Sequence, residues 1–100
     1  MGIWLVMKTS VLEERPFQLQ KERTVIGRAA TTDVRVPIPG VAPRHCEIML
    51  HGDRVRLNDL SSEPGVLHNG ERVAEAWLTH EDEVTVGSVT FTIRMADPLM

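Results

Sequence analysis

A glycine–arginine pair, Gly27-Arg28, directly follows the apolar segment Thr24–Ile26. A guanidinium fixed at the end of a strand can hold a phosphate or a carboxylate through two parallel hydrogen bonds. Further polar and turn-forming residues follow in a fixed order: His45, Asp59-Leu60-Ser61-Ser62, Gly65 and Asn69-Gly70. Such residues are typical of loops that a rigid scaffold presents for binding. The sequence therefore predicts one loop surface, at which Arg28 is either an anion-binding group or a surface arginine after a turn glycine.

Patterns for catalysis and metal binding are not found in the sequence. There is no Gly-x-Ser-x-Gly turn and no Gly-x-x-x-x-Gly-Lys loop. His45 and His51 fall on one face of a predicted strand, but six residues at about 3.3 Å each separate them by about 20 Å. Cys46 points to the opposite face. We predict no catalytic residue, no metal site and no cofactor, although a triad can assemble from residues distant in sequence.

The elements that must position these residues are strands, because apolar and polar residues alternate with a period of two along most of the chain. The clearest example is Val89 to Met95, and Cys46 to Leu50 and Arg54 to Asn58 follow the same pattern. Shorter strand candidates are Ile3–Met7, Phe17–Leu19, Thr24–Ile26, Val34–Val36, Ala76–Leu78 and Glu83–Val86. The one helix candidate, Val73 to Thr79, is too short to be stable alone.

Turn signals separate the strands. Gly87-Ser88 and Asn69-Gly70 suit two-residue hairpin turns, and His51-Gly52-Asp53 closes another hairpin. Three prolines, Pro37, Pro39 and Pro43, mark a loop that cannot be a central strand. Short strands with turns about every ten residues predict an all-β sandwich or barrel.

Composition sets further limits. The chain has 100 residues, 42% of them hydrophobic and 25% charged, with a formal net charge of −3, which disfavours broad nucleic-acid binding. No apolar run reaches the roughly 18 residues of a membrane span. The single cysteine fits a reducing compartment, so we expect a cytoplasmic protein. We expect one domain over residues 1–96, followed by a tail or linker at 97–100.

We also predict which apolar side chains form the core. The tryptophans Trp4 and Trp77 are assigned to the core by default, although an exposed tryptophan is a common interface anchor. The other predicted core residues are Val25, Ile26, Val34, Ile48, Leu50, Leu57, Val84, Phe91 and Ile93.

The ordered set of motifs resembles the forkhead-associated (FHA) domain. The usual bacterial pattern of that family is Gly-Arg, then Ser-Arg-x-His, then Asp-Leu-x-Ser-Thr-Asn-Gly-Thr-x-x-Asn-Gly. The resemblance runs from about Thr24 to Met95. It implies an FHA/SMAD-like β-sandwich of about eleven short strands, whose loops at one end bind phosphothreonine peptides.

Several residues match the family pattern and take their expected roles from it. Arg28 matches the arginine that contacts phosphate, and Asn69 matches an asparagine that supports the loop or touches the peptide backbone. His45 matches a histidine that braces the binding loop. The resemblance implies structural loop support for Gly27, Asp59, Ser62, Gly65 and Gly70.

Other positions depart from the pattern. The serine that hydrogen-bonds phosphate falls on Ala42, and the arginine after it falls on Pro43, although Arg44 lies one residue further on. The Thr-Asn after the loop serine falls on Glu63-Pro64. The loss of a hydroxyl and an amide, with a carboxylate at Glu63, predicts weak phosphothreonine binding unless Arg44 or Arg35 substitutes. The sequence leaves open whether Glu63 pairs with Arg28 as an internal mimic of phosphate.

Three hypotheses follow from this reading. The first is an FHA-type interaction module that has weakened or lost ordinary phosphothreonine recognition and binds an unmodified protein, or a second copy of itself, in signalling or assembly. The second is a phosphopeptide reader that uses Arg28 with a rearranged loop set. The third is an enzyme or metal protein. The expected binding residues are Arg28, Ala42, Arg44, Glu63 and Asn69.

Overall fold

Strands dominate the computed structural model, which describes residues 2–8, 14–61 and 63–96. Within these residues the strands are β1 Gly2–Lys8, β2 Glu14–Gln18, β3 Arg23–Gly27, β4 Val34–Arg35, β5 Cys46–His51, β6 Arg54–Asp59, β7 Val66–His68, β8 Glu71–Val73, β9 Glu75–Leu78, β10 Glu83–Val86 and β11 Val89–Ala96. The tail predicted at 97–100 lies outside the described residues.

The strands form two sheets. One has the order β2-β1-β11-β10-β7-β8, and the other has the order β4-β3-β5-β6-β9. Neighbours pair antiparallel except β3 and β4, which are parallel, with Gly27 opposite Arg35. The predicted all-β sandwich of about eleven short strands is confirmed.

The core consists of the inward-facing side chains of both sheets. Of the predicted core residues, Leu50 is only partly buried, and the other non-tryptophan ones are buried. Val55, Val66 and Val86 also face inward and are fully buried, although they were not in the predicted core. Burial of each such side chain contributes about 1.5–3 kcal/mol to folding.

The helix candidate over Val73 to Thr79 is wrong, and the strand candidate Ala76–Leu78 inside it is confirmed as β9. Strand β8 ends at Val73, and β9 then pairs antiparallel with β6, with Ala76 opposite Leu57 and Leu78 opposite Val55. Leu78 is buried in the core. Tertiary pairing therefore determines the conformation of a segment whose local preference was ambiguous.

Trp77 is not a core residue, contrary to the default assignment. It lies on the outer face of β9, is 41% exposed, and has the Arg54 guanidinium carbon 3.9 Å from its ring centroid. Trp4 on β1 is half-buried.

The turns lie where the sequence predicted them. Asn69 and Gly70 have φ of 50° and 87°, and Gly87 has φ of 62°. These values are the left-handed conformations that such hairpin turns require. The prolines Pro37, Pro39 and Pro43 lie in the long loop between β4 and β5. This loop and those after β3 and β6 meet at one end of the sandwich.

Candidate functional site

His45 joins two of the loops at this end. Its ring is fully buried, and its Nδ1 accepts a hydrogen bond from the Ala42 N–H at 3.0 Å. Because Nδ1 is an acceptor, the proton is on Nε2, which donates to the Gly65 carbonyl at 2.6 Å. His45 also donates its backbone N–H to Ile26 of β3. One imidazole thus fixes the β4–β5 loop to the β6–β7 loop and to the sheet.

Arg28 holds the β4–β5 loop from the other side. Its backbone N–H donates to the Ala42 carbonyl at 2.9 Å, and its Nε donates to the Val41 carbonyl at 3.0 Å. The terminal guanidinium nitrogens have no hydrogen bond or ion pair within the described part of the chain. Arg28 is exposed, so these nitrogens are available to an anion.

The β6–β7 loop is shaped by Asp59 and Ser61. The Asp59 carboxylate accepts hydrogen bonds from the backbone N–H and the hydroxyl of Ser61, at 3.0 and 2.9 Å. The Ser61 hydroxyl in turn accepts from the Gly65 N–H at 3.2 Å. Gly65 has φ of 85°, a conformation that favours glycine. Ser62, the loop serine of the family pattern, lies outside the described residues.

Glu63 pairs with Arg72, not with Arg28. The Nη2 of Arg72, the middle residue of β8, donates to Glu63 Oε1 at 3.2 Å. The Glu63 side chain is 84% exposed, so water screens this pair. Among the described residues Arg28 therefore has no carboxylate partner, and the Glu63 carboxylate lies at the rim of the site.

The three loops enclose an open groove of about 790 Å³, which we call the loop-end groove. Apolar residues form most of its walls, and Arg28 and Glu63 are its charged members. Its lining residues are Arg28, Pro37, Ile38, Pro39, Gly40, Val41, Ala42, Pro43, Glu63 and Pro64. The groove is therefore an apolar surface with one cation and one anion.

Hydrogen-bond donors are scarce in this groove. Four lining residues are prolines, which have no backbone N–H. The N–H groups of Ala42 and Glu63 bond to His45 Nδ1 and to the Ser61 carbonyl. Those of Arg28, Ile38 and Val41 bond to carbonyls as well. Among the described lining residues, this leaves the Gly40 N–H and the Arg28 guanidinium to donate to a ligand.

Two predicted binding residues do not line the groove. Arg44 is exposed, but it is not among the described lining residues. The Asn69 side chain instead fixes its turn to β10, since its Oδ1 accepts from the Glu83 N–H at 2.8 Å. Gly70, beside it, completes that turn. Ala42 and Glu63 do line the groove, with Arg28.

Residues of the β4–β5 loop were missed as site residues. Ile38, Pro39, Gly40 and Val41 form the apolar wall. The three prolines of this stretch predicted a stiff loop, and the apolar residues between them were the available signal that it is also a contact surface.

No group that could hold a metal ion occurs among residues 2–8, 14–61 and 63–96. Cys46 is buried, and burial raises the pKa of its thiol far above the ordinary value. Such a thiol is a poor nucleophile. The same residues contain no helix that is long and apolar enough to cross a membrane.

Known proteins match this sequence and fold. The family model for the cytoplasmic domain of the type III secretion inner-membrane component (Yop-YscD_cpl) matches residues 13–97. The FHA domain-containing protein FhaA of Mycobacterium tuberculosis is 35% identical over 81 residues. These residues are 81% of this chain but only 15% of FhaA, so the chain spans a small part of that protein.

Solved FHA domains share the whole architecture. One, from an analysis of phosphothreonine-dependent FHA domain interactions, is 30% identical with a TM-score of 0.88, covering 97% of this chain and 99% of that one. The FhaA FHA domain in complex with the intracellular domain of Rv3910 is also 30% identical, with a TM-score of 0.83 and coverage of 92% and 99%. The chain therefore belongs to the forkhead-associated family, whose members are protein-interaction modules.

Proposed function

We propose that this domain is a protein-interaction module whose loop-end groove binds a partner segment mainly through apolar contacts, with ordinary phosphothreonine recognition weakened or lost. The observation that carries the proposal is the composition of the groove. Four lining residues are prolines, Ala42 has no hydroxyl, and most of the remaining backbone N–H groups are already hydrogen-bonded. A phosphate in the groove would therefore find few donors other than Arg28.

Magnitudes support weak phosphate binding. A hydrogen bond to a charged group is worth about 1.5–3 kcal/mol, so losing a hydroxyl at Ala42 and an amide at Pro64 costs roughly 3–6 kcal/mol. About 4 kcal/mol separates a micromolar from a millimolar dissociation constant. The Glu63 carboxylate at the rim adds repulsion toward a phosphate dianion. One guanidinium does not offset all three effects, whereas an apolar segment needs neither the missing hydroxyl nor the missing amide.

A phosphopeptide reader is the second candidate, and Arg28 favours it. Its terminal nitrogens are unpaired within the described part of the chain, and Glu63 is engaged by Arg72. The relative with phosphothreonine-dependent interactions shares 30% of its sequence with this chain. In this candidate, Arg28 supplies most of the phosphate affinity, and Arg44 or Arg35 moves to replace the missing hydroxyl.

The test is a fluorescence-anisotropy screen with a degenerate phosphothreonine peptide library and the same peptides unphosphorylated. We expect the ratio of the two affinities to be less than about tenfold, which is 1.4 kcal/mol. Arg28→Ala should weaken the phosphorylated and the unphosphorylated peptides by a similar factor, because it removes the Nε hydrogen bond to Val41 for both. Micromolar binding that requires the phosphate and is lost in Arg28→Ala would instead establish the reader.

We further propose a cytoplasmic location and a role in signalling or in the assembly of a larger complex. The support is the match to the cytoplasmic domain of a secretion component and to FhaA. Self-association is one form of such assembly. It predicts a mass in analytical ultracentrifugation that rises with protein concentration, whereas a constant monomer mass would exclude it.

A further inference from the structure

A second depression lies beside the loop-end groove, between β1, β2, the end of β4 and the β10–β11 turn. Its volume is about 370 Å³. Pro37 and Ile38 line both this depression and the loop-end groove, so the two are adjacent across one ridge of the β4–β5 loop. A peptide that leaves the groove over this ridge therefore enters the depression.

The walls of the depression carry positive charge. Arg15 of β2 and Arg35 of β4 line it, together with Lys8 at the end of β1. No aspartate or glutamate is among its described lining residues. The whole chain has a net charge of −3, so this positive region runs against the overall charge of the molecule.

The polar groups that line the depression differ in how far they are free to bind a ligand. The Lys8 ammonium lies 3.6 Å from the Glu83 carboxylate and is partly neutralised. Arg35 donates from Nε to the Arg28 carbonyl at 3.3 Å, which anchors it while its terminal nitrogens stay available. Arg15 is exposed, and among the residues whose side chains the structure describes no carboxylate pairs with it. Ser88, exposed in the hairpin turn, contributes a hydroxyl.

Apolar side chains form the remainder of the surface. Met7, Ile38 and Val89 line it and pack against the core. An apolar floor lowers the local dielectric, which strengthens a guanidinium–carboxylate contact relative to one in water. The combination of two guanidinium groups, a hydroxyl and an apolar floor suits a carboxylate on a short aliphatic stem.

We propose that this depression, which we call the flank subsite, binds a glutamate or aspartate side chain in an acidic segment of the protein partner. The proposal rests on the proposed function, because that segment continues the one in the loop-end groove. Arg15 and Arg35 pair with the carboxylate, and Ser88 donates a hydrogen bond to it. The partner is thus predicted to combine an apolar stretch with a nearby acidic residue.

The test is an NMR titration of the isotope-labelled protein with a capped tetraglutamate peptide, and a capped tetraserine peptide as the neutral control. We expect amide shifts centred on Arg15, Val36 and Ser88 with tetraglutamate only. Arg15→Gln should weaken that binding about tenfold, the effect of one charge-assisted contact. Arg54→Gln, which removes the same charge on the other sheet, should leave it unchanged.

The outcomes separate this proposal from the proposed function. Shifts confined to the loop-end groove, or spread evenly over the surface, would overturn the flank subsite and leave the groove intact as a binding site. Equal weakening by Arg15→Gln and Arg54→Gln would also overturn it, because attraction would then depend on net charge alone. A stronger response to a phosphothreonine peptide than to tetraglutamate at Arg15 would overturn the assignment to carboxylates.

Discussion

At the scale of the residue, His45 does most to fix the geometry of the loops. Its ring accepts a hydrogen bond from the Ala42 N–H, donates one to the Gly65 carbonyl, and is fully buried. Water cannot replace these bonds without entering the core. The histidine therefore maintains the groove without contacting a ligand in it.

Replacement of His45 should be costly. His45→Ala leaves the Ala42 N–H and the Gly65 carbonyl unpaired and removes a buried ring, so we expect a loss of about 3 kcal/mol or more in the free energy of unfolding. Urea denaturation measures this. His51→Ala is the control, and because His51 is exposed the loss there should be about 1 kcal/mol or less. Equal losses in the two variants would contradict the role of His45.

Site residues were predictable from sequence only where a motif fixed them. The Gly27-Arg28 pair placed a guanidinium at a strand end, and the structure has it there. The family pattern assigns the loop serine to Ser62, whereas Ser61 makes the hydrogen bonds to Asp59 and Gly65 that shape this turn. An aspartate two residues before a serine is a known turn pattern that could have identified it. The partner of Glu63 could not be predicted, because Arg72 approaches it only through the fold.

At the scale of the element, β3 and the β4–β5 loop are packed too closely for a side chain between them. A Cβ added to Gly27 would overlap the carbonyl oxygen of Pro43 and lie 3.0 Å from the Arg44 Cα. Both neighbours are backbone, so they cannot move independently of the loop. Gly27 is required here for its small size, since its φ is not in the left-handed region.

Gly27→Ala should therefore destabilise the domain and distort the groove. We expect a loss of about 1–3 kcal/mol from overpacking, measured by thermal or urea unfolding. The control is Gly52→Ala, because a Cβ at Gly52 meets no atom within 4 Å. Only the positive φ of 66° is unfavourable for alanine there, and it should lower the free energy of unfolding by about 1 kcal/mol. Partner binding should fall in Gly27→Ala and not in Gly52→Ala. Unchanged binding in Gly27→Ala would show that partner binding does not depend on the position of the β4–β5 loop.

Elements with a clear period were predictable, and so were the short strands β4, β9 and β10, but β7 and β8 were not. The strands β5, β6 and β11 alternate over six residues or more. The strands β7 and β8 have three residues each, too few for a period, and only the Asn69-Gly70 turn between them was visible in the sequence. The sequence could not decide between the helix candidate Val73 to Thr79 and the strand candidate Ala76–Leu78, because the pairing with β6 that selects the strand is a non-local interaction.

At the scale of the whole molecule, the two sheets bring together loops that are far apart in sequence. His45 bonds to Gly65, 20 residues further along the chain, and the groove is lined by residues from Arg28 to Pro64. Charged groups away from this end stabilise other turns. Asp82 accepts hydrogen bonds from the Thr79 N–H and from Asn69, and its carboxylate lies 2.8 Å from His68 Nε2.

Acid should weaken the fold partly through Asp82. Burial raises the pKa of this carboxyl, but the hydrogen bonds from His68, Thr79 and Asn69 outweigh burial and lower the pKa below its ordinary value of 3.8. The stabilisation is therefore fully present above that value and is lost as the pH falls through the lowered pKa in the folded state. Urea unfolding at several pH values should show a smaller acid dependence for Asp82→Asn than for the wild type. The same dependence in both would contradict this assignment.

We propose that phosphate binding is weak because Ala42 and Pro64 replace a hydroxyl and an amide, which leaves the Gly40 N–H and the Arg28 guanidinium as donors among the described lining residues. The most direct measurement is the affinity of Ala42→Ser for the phosphothreonine library, with Ala74→Ser, at an exposed site between β8 and β9, as the control. We predict a gain of about tenfold or more for phosphorylated peptides only, as one charge-assisted hydrogen bond provides. Tight, phosphate-dependent binding by the wild type, with no gain in Ala42→Ser, would contradict the proposal that the groove binds phosphate weakly.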